Sequence, residues 1–102
     1  MRMANGARGE VLVELDGAPR RLCMTLGTLA EIETALEVSG VEGLVERLRR
    51  PTARDLMAVL AALLNGGGEH ELAGRLDRAS ISPQVAAEAV AQAFAAVGGG
   101  EG

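Results

Sequence analysis

"MTLGTLAEIETAL", residues 24–36, decides how this chain is read, because its character changes halfway along. Its front end closes an alternating run in which Leu22, Met24 and Leu26 share one face, the period of a half-buried strand. Its back end sets Leu29, Ile32 and Leu36 at i, i+3 and i+7, one stripe of a helix. Gly27 offers a turn between the two. Thr28-Leu29-Ala30-Glu31 has the S/T-x-x-E form of a capping box, with Thr28 as N-cap and Glu31 reaching back to its backbone N–H. The stretch therefore predicts a strand handing over to a helix, and so an α+β domain.

Upstream, "EVLVEL" (10–15) alternates, with Val11, Val13 and Leu15 on one face. "DGAP" (16–19) supplies turn residues, and "RRLCMTL" (20–26) alternates again, so the pair reads as a β-hairpin. A lone hairpin is marginal in water, so helices must cover its apolar face. Such a hairpin has at least one open edge, and an open edge can accept another strand.

Downstream lie helices. The first fades near "EVSG", where Gly40 is the expected stop. "VEGLVERL" gives a short second helix with Leu44, Val45 and Leu48 facing in, broken by Pro51. "TARDLMAVLAALL" is the strongest. Thr52 is its expected N-cap, and Asp55 puts a negative charge in its first turn, where it suits the helix dipole. Leu56, Met57, Val59, Leu60, Leu63 and Leu64 cover more than one of its faces, which marks a central helix. "NGGG" (65–68) ends it. "EHELAGRLDRA" reads as a weaker helix. The last opens with Ser82 as N-cap and Pro83 at its first position, with Val90, Phe94 and Val97 as its apolar stripe. The expected architecture is an N-terminal hairpin followed by about five helices around the third. Residues 1–9 read as a flexible N-terminus, 10–97 as one domain and 98–102 as a flexible glycine-rich tail.

Composition narrows the function. The chain has 102 residues, a one-domain length, with no Trp or Tyr and a single Phe, so its core must be aliphatic. A net charge of −4 argues against general nucleic-acid binding, and the short cluster Arg47, Arg49, Arg50 reads as a solvated helix end. One cysteine, Cys23, excludes an internal disulfide and suits a reducing compartment. No apolar run is long enough to span a membrane and "MRMANGARGE" has no apolar signal core, so the expected location is cytoplasmic.

Candidate chemistry is sparse. Glu31 and Glu33 lie about 200° apart around a helix and cannot share a substrate as an acid–base pair. Glu31 is explained by the capping box. Glu33 lies beside Glu37 and borders the apolar stripe; it reads either as a solvated position or, more sharply, as the partner of an arginine in a salt bridge at the core edge. "NGGGEH" lacks the lysine and hydroxyl of a phosphate loop and follows no strand. His70 stands between Glu69 and Glu71, neighbours that cannot converge on one ion. No catalytic, cofactor or metal site emerges. The residues describe a binding or assembly module, with the hairpin (Val11, Val13, Leu22, Met24) and the first helix (Glu33, Glu37) as the candidate partner contacts.

The order "GEVLVELDGAPRRLCMTLGTLAEIETAL", "ARDLMAVLAALL", "SPQVAAEAVAQAFAA" resembles the small tail protein family of gene transfer agents, phage-like particles of alphaproteobacteria, grouped with phage tail assembly chaperones. It departs from that pattern at Leu26, where members often carry an aromatic, and in the central helix, which lacks the tryptophan that many of them carry. The resemblance implies a non-enzymatic role in building a tail. Its implied partners are the tape measure protein, kept soluble as an assembly chaperone's client, and the tail tube protein. Homo-oligomerisation is left open, and the rival readings are a structural tail component retained in the particle and, behind it, a small regulatory nucleic-acid-binding domain.

Overall fold

The computed structural model describes residues 10–99. The expectations for residues 1–9 and 100–102 lie outside this range. The chain forms a two-stranded antiparallel sheet, β1 (Glu10–Leu15) and β2 (Ala18–Cys23). Helices α1 (Leu26–Leu36), α2 (Gly40–Arg47), α3 (Ala53–Gly66), α4 (His70–Ala73) and α5 (Pro83–Gly99) follow, with a 3-10 turn at Leu76–Arg78. This is the α+β architecture expected from the sequence.

The hairpin turn is tighter than "DGAP" suggested. Only Asp16 and Gly17 form it, both left-handed at φ 54° and 83°, the two-residue turn whose twist matches that of the strands. Ala18 and Pro19 belong to β2. The register sets Val11 opposite Leu22, Val13 opposite Arg20 and Leu15 opposite Ala18. Pro19 faces Glu14 at a pair that exchanges no ladder bonds, so its missing N–H costs the sheet nothing. β2 ends at Cys23, earlier than the alternation suggested. Met24 packs half-buried against the core, but Leu26 is 83% exposed and opens α1 instead of finishing the strand's buried face.

The N-cap of α1 is Thr25, not Thr28: Thr25 Oγ1 accepts from the Thr28 N–H at 3.0 Å. Thr28 is buried inside the first turn, and its Oγ1 accepts from the Thr25 hydroxyl. Glu31 lies beyond that turn, exposed and outside the cap. α1 ends at Leu36, before Gly40, with Glu37 left-handed at φ 57°. The bonds from Glu37 N–H to Thr34 O and from Val38 N–H to Glu33 O close a Schellman turn. Gly40 opens α2.

α3 is the centre. Leu56, Val59, Leu60, Ala62, Leu63 and Leu64 are buried, while Met57 looks outward. Thr52 and Asp55 form a reciprocal capping box at its start. At its end Gly66 and Gly67 lie so close to the carbonyls of Cys23 and Arg21 that a Cβ on either would overlap them. The glycines thus let the helix press onto β2. Gly68, left-handed, closes a second Schellman turn through Glu69 N–H to Leu64 O. The weak helix expected at 69–79 is split by Gly74 into α4 and the 3-10 turn. In α5 Ser82 Oγ accepts from the Val85 N–H. Its buried line is Ala86, Ala89, Val90 and Ala93, so α5 meets α3 through small residues, not through Phe94 and Val97. α5 also runs to Gly99, two residues into the expected tail.

Candidate binding surface

α2 is attached differently from every other long helix. Only Leu44 is buried; Val45, expected to face in, is 44% exposed, and Val41 is exposed as well. Among the described residues α2 meets the fold chiefly through α1. Polar groups hold its two ends. Glu33 Oε2 accepts from the Gly40 N–H at 3.0 Å and so supplies the cap that Ser39 does not. At the other end Arg47 grips Asp55 with two nitrogens, at 3.0 and 3.1 Å, and gives Nη1 to the Leu36 carbonyl at 2.8 Å. Arg47 therefore ties α1, α2 and α3 together and is not merely a solvated helix end. Burial pushes the Asp55 carboxyl up, but the hydrogen bonds from Arg47 and Thr52 outweigh it and hold the group below the usual carboxylate range.

Because α2 is held by its ends, a cleft is left between its apolar face and α5. One stretch, about 460 Å³, is lined by Met24, Leu29, Val41, Leu44, Val45, Phe94, Ala95 and Val97. The other, about 390 Å³, runs past Leu48, Pro51, Leu56, Ala87, Val90 and Ala91 to Arg49. Val45 and Phe94 line both, so the two form one apolar groove with an arginine at one end. From Ala87 to Val97 it extends about 15 Å, enough for roughly three turns of a docked helix.

A separate set of polar contacts holds the hairpin tip. Asp16 accepts from Arg75 Nη1 at 2.8 Å and from the Ser80 N–H at 3.1 Å, which fixes the hairpin tip to the chain ahead of α5. The Arg75 hydrogen bond, then that of Ser80, holds the Asp16 carboxyl below its ordinary range. Arg75 also lowers Glu71, and burial raises the Cys23 thiol.

The sequence-predicted partner contacts divide on this map. Met24 lines the groove; Leu22 is fully buried; Val11 and Val13 pack half-buried against the core. Glu33 and Glu37 serve the α1–α2 connection. Sequence reasoning missed Val41, Val45 and Phe94 as neighbours across a groove. Valine and phenylalanine at helical spacing signal a buried face as readily as an open one. Among the described residues no group of three His, Cys, Asp or Glu could hold a metal, and no helix is long and apolar enough to cross a membrane.

The fold and groove define a small α+β domain with a long apolar cleft among its described residues. A family model described as "Phage tail tube protein, GTA-gp10" matches residues 8–99. The chain belongs to that family and is thereby a tail protein of the phage and gene transfer agent type. No curated protein and no solved structure matches it significantly.

Proposed function

We propose that the chain is a non-enzymatic tail-assembly chaperone that holds an amphipathic helix of the tape measure protein in the groove between α2 and α5, and helps bring tail tube subunits to it. The groove carries this reading. It is lined almost wholly by apolar side chains, its length fits three helical turns, and α2 can adjust because its own apolar face is hardly packed. Helix-in-groove docking needs that combination. A net charge of −4 would keep such a complex in solution. The test is co-expression with the tape measure protein of the same gene cluster. The expected outcome is a soluble complex that Val45→Glu, which buries a charge in the contact, abolishes without unfolding the chain. A tape measure protein equally soluble and unbound with and without the chain would end the proposal.

The family's description as a tail tube protein favours a second reading, in which the chain stays in the particle as a structural subunit. Mass spectrometry of purified particles separates the two: stoichiometric abundance supports the structural role, and absence supports the chaperone.

A further inference from the structure

The hairpin's two edges differ. The β2 edge is closed: the Arg21 N–H donates to Glu69 Oε2 at 2.9 Å, and Gly66 and Gly67 lie against the carbonyls of Cys23 and Arg21. On β1 the ladder bonds are made by Val11, Val13 and Leu15, since the pair next to a two-residue turn is bonded and the pattern alternates. The N–H and C=O groups of Leu12 and Glu14 therefore point away from β2. Among the described residues they have no hydrogen-bond partner. α5 lies along β1 but spends its backbone on its own helix, so it cannot supply one. At the middle of this edge Leu12 is 62% exposed, with Glu10 and Glu14 on the same face to either side.

Charge chooses the occupant. A second copy of β1 paired antiparallel about Leu12 would set Glu10 against Glu14 at both ends, like charges directly opposed. Next to β1, β2 presents Arg21, whose Nε lies 3.2 Å from Glu10. Glu14 has no ion pair among the described residues. The geometry points to β1 as the acceptor of an extended segment from another protein, added as a third strand, with an apolar residue opposite Leu12 and a lysine or arginine opposite Glu14. This surface is separate from the groove, which none of Glu10, Leu12 and Glu14 lines.

The full chain, labelled with ¹⁵N, is titrated with the peptide acetyl-Gly-Lys-Thr-Val-Thr-Lys-Gly-amide and with its counterpart carrying Glu for both Lys. The expected result is saturable shifts and slowed exchange at the Leu12 and Glu14 amides, with the Glu peptide weaker by roughly tenfold or more. Glu14→Lys reverses the preference. Leu12→Pro removes the outward N–H and abolishes binding, while Val45→Glu leaves it intact. Because Leu12→Pro can also weaken the strand, Glu14→Lys on a folded chain is the deciding variant. Absence of shifts at Leu12 and Glu14, equal affinity for the two peptides, or a self-associating dimer that excludes both peptides would overturn the proposal.

Discussion

α3 and α2 lie next to each other in sequence and are held by opposite means. α3 buries apolar side chains around most of its circumference and is fixed by packing. α2 buries Leu44 alone and is fixed by two polar clamps, Glu33 at its start and Arg47 at its end. Packing spreads along a helix, is short-ranged and fills the space beside it. Clamps at the ends leave the side open, and in this chain the open side is the groove.

The comparison breaks most visibly at α3. Leu63→Ala, at a fully buried site, should cost about 2–5 kcal/mol in urea unfolding by emptying a central cavity. Val45→Glu on α2 should stay within about 0.5 kcal/mol, because the position is already open. Equal losses would mean that α2 is packed as firmly as α3.

Next in size is the clamp at Asp55. Asp55→Ala should cost about 2 kcal/mol, since it removes a cap and leaves Arg47 without its carboxylate. The folded-state carboxyl titrates below its unfolded value of about 3.9. Its contribution is therefore complete above pH 4 or so and disappears as pH falls through the folded value. Asp16 adds in the same direction. The difference in urea midpoint between pH 7 and pH 3 should accordingly shrink in Asp55→Asn.

A smaller effect is expected at the caps of α1. Thr25→Ala should cost about 1 kcal/mol, and Glu31→Ala, which removes any side-chain acceptor at that position, should be silent in the same thermal melts. The reverse order would restore Thr28 and Glu31 as the capping pair. The smallest effect is local. Glu33→Ala frees the Gly40 N–H and should speed amide exchange within α2 while that of α3 is unchanged. Uniform acceleration would show that the two helices open together.

The hairpin and central helix were legible because their signals are local. Alternation through Val11, Val13 and Leu15, an Asp-Gly turn and a helix apolar on several faces each leave few ways to satisfy backbone and side chains. The start of α1 was not. Thr25 and Thr28 both lead into the helix, and in the fold Thr25 caps it while Thr28 is buried in its first turn, packed against the end of α3 where a Cβ on Gly66 would overlap Thr28 Oγ1. The groove escaped for a related reason. Leu44 and Val45 are neighbours on one short helix, yet one is buried and the other open, and only the positions of α1 and α5 make the difference.

By itself, then, the sequence determined the order of elements, the aliphatic composition of the core and the central place of α3, because each follows from periodicity and turn chemistry within about a dozen residues. The tertiary structure alone decided which threonine caps α1, that Glu33 serves the start of α2, and which apolar face stays uncovered. Those outcomes depend on groups distant in sequence meeting in space, where burial and hydrogen bonding are settled together.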